Sequence, residues 1–112
     1  MNDPRRGLRL DFSSLETVML IISGRIILKE GGREAFLKAS HEAMLKARAA
    51  PGCRQFVVAA DPIDPHVANV YEEWDSEHEL LAFRGDGPPS DLRALISSAD
   101  VRRHEVSRSG PA

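Results

Sequence analysis

Residues 18–28, VMLIISGRIIL, constrain this chain more than any other stretch. Successive side chains of a strand point to opposite faces of the sheet. Here Leu20, Ile22 and Ile26 fill one phase, while Met19, Ile21 and Ile27 fill the other. Only Ser23, Gly24 and Arg25 interrupt the run, which ends in the turn signal Glu30-Gly31-Gly32. It falls well short of the roughly 20 apolar residues that a membrane span needs. The segment therefore reads as a strand that must be covered on both faces. A second apolar run, Cys53 to Ala60, repeats the problem, with Phe56 and Val58 on one phase and Val57 and Ala59 on the other.

The stretches between these runs supply one cover. From Arg33 to Ala50 the residues are strong helix formers, and Phe36, Ser40, Ala43, Met44 and Ala47 recur on one side at helical spacing. Pro51-Gly52 ends that helix. Asp61-Pro62-Ile63-Asp64-Pro65 is a turn with two Pro-fixed corners, leading into a third strand from Val67 to Trp74. Ser76 and Glu79 have capping-box spacing, so a helix is expected over 77–84, broken by the Gly/Pro-rich segment 85–89. Ser90 or Asp91 should cap a further helical stretch through Ile96, and Val101 to Ser107 should form a short last strand.

The order β-α-β-β-α-(α)-β predicts an α+β, ferredoxin-like antiparallel sheet with helices on one face. That leaves the other face apolar and bare, beyond what a monomer ordinarily exposes. The simplest cover is the same face of a second copy, giving a homodimer whose sheets enclose a cavity lined by Ser23, Arg25 and the inward phase of strand three. One domain over 18–108 is expected, between an N-terminal arm at 1–17 and a tail at 109–112.

Composition excludes several functions. A formal net charge of −2 gives no electrostatic case for nucleic acid or an anionic membrane. Cys53 is the only cysteine, and the N-terminus lacks the apolar core of a signal peptide, so a cytoplasmic setting is expected. The four histidines, His41, His66, His78 and His104, show no metal-ligand spacing, and no phosphate loop, Rossmann glycine pattern or Ser-His-Asp spacing is present.

With these elements in place, the chain resembles the antibiotic biosynthesis monooxygenase (ABM) domain family, of the dimeric α+β barrel superfamily, over about residues 19–107. The carriers are the first strand with its Gly31-Gly32 turn, Phe36-Leu37 opening the helix, APGCRQF at 50–56, and DPIDPHVANVYEEWDSEHELLAF at 61–83. The last contains a Glu-x-Trp followed by a capped helix. The resemblance implies a small oxygenase without metal or organic cofactor, oxidising a quinol- or anthrone-like aromatic with O2. The same fold also hosts haem-degrading enzymes and members without known activity, which leaves a non-catalytic binder or structural protein as the alternative. Phe83 stands where many members carry a His, and Val70 where anthrone-oxidising members carry an Asn. Gly24 stands where haem-degrading members need an Asn, so haem is not implied.

The resemblance also implies that the phase of Val70, Glu72 and Trp74 faces the cavity. Trp74 is then a core filler, a wall for an aromatic ligand, or both. Glu72 is either half of a buried ion pair with Arg25 or a desolvated general base with a raised pKa. In the second case Arg25 would hold the substrate anion, and Ser23, Val70, Phe83 and, at the mouth, His41 would contact the ligand. Tyr71, on the opposite phase, would pack under the helices.

Overall fold

The computed structural model describes residues 18–85, 87 and 90–112; the expected N-terminal arm lies outside them. Among the described residues the elements are β1 (Leu20–Leu28), α1 (Arg33–Arg48), β2 (Cys53–Ala60), β3 (Val67–Trp74), α2 (Glu77–Arg84), α3 (Ser90–Arg93) and β4 (Ile96–Glu105). The sheet order is β2-β3-β1-β4, with every neighbouring pair antiparallel. This is the ferredoxin-like split βαβ arrangement. The β1 run that needed two covers lies in the middle of the sheet, between β3 and β4.

Registers fix which phase each strand shows to the helices. Leu20 lies opposite Trp74, Ile22 opposite Glu72 and Ile26 opposite Ala68. Directly opposed residues share a face, so Leu20, Ile22, Phe56, Ala68, Glu72 and Trp74 all lie on one side. That side carries the core. Leu20, Ile22, Phe56 and Trp74 are buried with Ala47 of α1 and Leu80 of α2, and Met44, Val58 and Phe83 pack against them. A second buried group, Leu28, Phe36 and Ala68, fills the other end of the sheet. Phe36, Ser40 and Ala47 are the buried residues of α1, the stripe expected from their spacing.

Local chemistry secures the ends of the elements. Ser76 is the N-cap of α2, and its hydroxyl accepts the Glu79 backbone N–H at 3.4 Å while donating to the Glu79 carboxylate at 3.0 Å. The second half of the expected capping box thus closes on the hydroxyl rather than on a backbone N–H. Arg33, the first residue of α1, donates through Nη1 to the carbonyls of Asp61, Asp64 and Val67, pinning the β2–β3 hairpin to the helix start. Within that hairpin the Asp61 carboxylate accepts from the backbone of Ile63 and Asp64 and from the Asn69 amide. These bonds, led by the one from Asp64, hold its pKa below the ordinary value. Gly24 sits mid-strand in β1 with φ 155°, and a Cβ there would run into the Asp100 carbonyl of β4. Glycine is what lets the two strands approach at that point.

The end of the chain departs from expectation. The helix after Ser90 stops at Arg93, and β4 begins at Ile96, five residues before Val101. Ser97, Ser98 and Ala99 have little intrinsic strand preference. They pair because β1 is long enough to offer them a ladder, with Ile27 opposite Ser98 and an irregularity in register between Ile27 and Leu28. No helix among the described residues is long and apolar enough to cross a membrane.

Candidate functional site

The antiparallel registers lay the helix-facing residues out in rows across the sheet. One row runs Phe56–Glu72–Ile22–Arg103, and the next runs Val58–Val70–Gly24–Val101. Trp74 and Leu20 stand one row beyond Glu72, with Glu105 at the β4 end.

Glu72 is the chemically distinctive member. It is a carboxyl with only 8% exposure on a face otherwise packed with apolar side chains. The Trp74 indole Nε1 donates to its Oε1 at 2.9 Å. Residues i and i+2 of a strand lie on the same face, so the Glu-x-Trp spacing itself creates this bond. Burial pushes the Glu72 pKa above the ordinary carboxylate value, and the Trp74 N–H and the Arg84 charge partly offset the rise.

Trp74 is fully enclosed, at 0% exposure. Phe83 of α2 lies against it, with ring centroids 5.3 Å apart, and meets Phe56 edge-on at 5.7 Å. Phe83 remains half-buried, so it is the member of this aromatic trio with surface left to offer. Val70 is buried on the same face, one row from Glu72. Glu72, Trp74, Val70 and Phe83 are therefore brought together, as the sequence implied.

Arg25, Ser23 and His41 are not. Arg25 lies opposite Asn69 and Asp100, and Ser23 opposite Tyr71 and Arg102, all on the face away from the helices. The expected Arg25–Glu72 pair does not form, because the sheet stands between the two side chains. Arg25 is instead exposed. His41 is exposed on the outer side of α1, in a groove of about 660 Å³ with Leu37, Lys38, Glu42 and Leu45. The expectation for Tyr71 is also corrected. It lies on the open face, where its hydroxyl donates to Glu73 at 2.5 Å, and that bond raises the phenol pKa. Half-buried Cys53 has its thiol pKa raised, first by burial, so it stays protonated. No three His, Cys, Asp or Glu side chains gather to hold a metal among the described residues.

Two cations that sequence reasoning passed over lie on the same side of the sheet as Glu72. Arg84 closes α2 and acts on Glu72 through its charge. Arg103 shares the Glu72 row and donates from Nη1 to Glu77, the first residue of α2, at 2.7 Å. Period-two alternation along β4 was available as a signal, but its register against β1 was not.

Comparison with known proteins agrees with this architecture. The model of the antibiotic biosynthesis monooxygenase family matches residues 19–87. A Chloroflexus aurantiacus structure bearing that family name is 31% identical, with a TM-score of 0.65 over 84% of this chain and 96% of its own. A Deinococcus radiodurans structure with the same family name has a TM-score of 0.72 at 15% identity, over 83% of this chain and 97% of its own. One from Nitrosomonas europaea, also so named, reaches 0.70 at 15% identity, over 89% and 96%. The last two support the fold alone. No curated protein sequence matches the chain at a significant level. With its family model covering most of the sheet and the Glu-x-Trp strand at its centre, the chain belongs to the antibiotic biosynthesis monooxygenase family.

Proposed function

We propose that this protein oxidises an acidic aromatic small molecule, of the quinol or anthrone type, directly with O2, and that Glu72 is the base that starts the reaction. The observation that carries this reading is the nearly buried Glu72 carboxyl, oriented by the Trp74 N–H and raised in pKa by burial. A carboxylate tuned upward is suited to accept a proton near neutral pH. Removing a proton from an anthrone-type CH2 or a phenolic OH leaves an electron-rich anion. That anion passes one electron to O2, the radical pair joins as a hydroperoxide, and loss of water leaves a carbonyl. Overall an anthrone CH2 and O2 become C=O and H2O. In a quinol the phenolic hydrogen and an adjacent ring hydrogen leave with one oxygen atom as H2O, while the other oxygen stays on that ring carbon. No outside reductant is consumed in either case. Phe83, Phe56 and Val70 supply the apolar surroundings in which such an anion reacts with O2 rather than with water.

The open sheet face carries half-buried Ile21, Ile27, Val57 and Tyr71. In this reading a second copy covers it, forming a homodimer through the sheet faces.

One observation favours a different reading, a non-catalytic binder or structural member of the fold. Trp74 is wholly enclosed, so its ring presents no face to a ligand and its bond to Glu72 serves packing. Oxygen uptake with anthrone and with 1,4-naphthohydroquinone, measured above the spontaneous rate, separates the two. Turnover that falls by roughly a hundred-fold or more in Glu72→Gln supports the base assignment. A protein that takes up no oxygen yet binds either compound saturably is a binder.

A further inference from the structure

Arg25 lies on the far side of the sheet, so it does not hold the substrate anion beside Glu72. We propose that Arg103 does so: its guanidinium holds the oxyanion of an aromatic ligand whose ring lies over Gly24. This inference rests on the proposed function and deepens it.

Arg84 acts on Glu72 through its charge from the exposed end of α2, while Arg33, Arg48 and Arg54 are engaged elsewhere. Arg33 donates to three hairpin carbonyls. Arg48 donates to the Phe56 carbonyl at 2.9 Å, and Arg54 is paired with Asp75. Arg103 is placed differently. It lies directly opposite Ile22, which lies directly opposite Glu72, so the base and the cation flank one isoleucine on the helix-facing side. Adjacent strands are about 4.8 Å apart, so the two backbones stand roughly 10 Å from each other. Ile22 between them is 2% exposed, so a ligand oxygen would reach this row from its Arg103 side, where the guanidinium is open to solvent. Glu77 anchors the guanidinium at 2.7 Å from the first turn of α2, which orients it while leaving other N–H donors unused by that bond.

The neighbouring row provides a seat for the ring. Gly24 has no side chain, and it is flanked by Val70 and Val101. Val101, at 37% exposure, is among the large apolar side chains left open to solvent. In the next row Ala68 is covered within the core beside Phe36, whereas Ala99 on β4 is small and exposed, so the open part of the seat is its β4 side. A flat apolar ring over Gly24 would direct an oxygen towards the Glu72–Ile22–Arg103 row. The ligand class this selects is a flat aromatic with an ionisable hydroxyl or enol at the edge that meets this row.

The test compares Arg103→Ala, Arg103→Gln and Arg103→Lys with Arg102→Ala, whose side chain leaves the same strand towards the opposite face. Oxygen uptake is measured with anthrone and 1,4-naphthohydroquinone, and anaerobic binding of 1-naphthol and naphthalene by calorimetry. Loss of a preorganised donor predicts a fall of roughly a hundred-fold in kcat for Arg103→Ala and Arg103→Gln, partly restored in Arg103→Lys. The preference for 1-naphthol over naphthalene should vanish with the charge, and Arg102→Ala should leave both readouts unchanged. Arg103→Gln removes the charge but keeps an apolar stem and a polar end, so it carries the test if the alanine variant does not fold. A wild type that turns over anthrone while Arg103→Gln stays within about threefold of it overturns this inference alone. A wild type with neither uptake nor binding overturns the proposed function and this inference together.

Discussion

The Trp74–Glu72 bond makes a quantitative prediction that does not depend on finding a substrate. Trp74→Phe removes the indole N–H and about two buried ring carbons. The carbons cost about 1.6 kcal/mol at about 0.8 kcal/mol each, and a hydrogen bond to a charged group is worth roughly 1.5–3 kcal/mol. The single variant should therefore lose about 3–5 kcal/mol, a large share of the ordinary stability of a domain this size. In a Glu72→Leu background only the packing loss remains, so the coupling between the two positions should be roughly 1.5–3 kcal/mol. Urea unfolding followed by far-UV circular dichroism measures it, at one fixed protein concentration because association would shift the midpoint. Fluorescence is unsuitable, since Trp74 is the only tryptophan. Coupling below about 0.5 kcal/mol would mean that the bond contributes nothing beyond packing.

The sign of the pH dependence gives a second check on the same pair. Burial raises the folded-state pKa of Glu72 above its ordinary value, with the Trp74 N–H and Arg84 pulling the other way. Between the ordinary and the folded value the folded protein binds more protons than the unfolded one. The stability linked to Glu72 is then fully present below the ordinary pKa and is lost as pH rises through the folded one. Removing the N–H raises the folded value further, so the Trp74→Phe penalty should be larger at pH 8 than at pH 5. Other groups that act on the carboxyl, Cys53 from β2 and Arg84 from α2, are common to all four proteins and cancel in the cycle. A penalty equal at both pH values would show that Glu72 is not the group the indole stabilises.

Ser76→Ala should cost about 1 kcal/mol by removing the α2 cap, read as a fall of several degrees in Tm; an unchanged Tm would show that the Glu79 N–H needs no side-chain partner. Val57→Asp places a charge on the open sheet face without touching the core, and should shift the proposed homodimer to monomer in light scattering on a sizing column. A wild type that is already monomeric at micromolar concentration would remove the second cover from the sheet.

Much of the fold was legible because its signals are local. The bounds of β2, β3 and α2 follow from Pro-Gly, from Asp-Pro corners and from a Ser cap, each acting within a few residues. The start of β4 was not legible, since Ser97 to Ala99 pair only because β1 extends far enough to receive them. The Glu72–Trp74 contact was accessible for the same local reason, as i and i+2 share a face whatever the neighbours do. Arg25 fails on the one quantity that local chemistry does not carry. A strand's alternation says that Ser23 and Arg25 share a face; only the register with β3 says which face of β3 that is. In the observed register Ile22 meets Glu72, and a slip of one residue would turn Arg25 to the helix side with it. Strand β1 is apolar on both phases and so gives no preference of its own. The deciding contrast lies in β3, where Ala68, Val70 and Trp74 accompany Glu72 while Asn69, Tyr71 and Glu73 take the other side. Helices cover the more apolar phase, so Glu72 is carried beneath them by the company it keeps. Arg103 reaches that same face from β4, whose register against β1 is set only by long-range pairing.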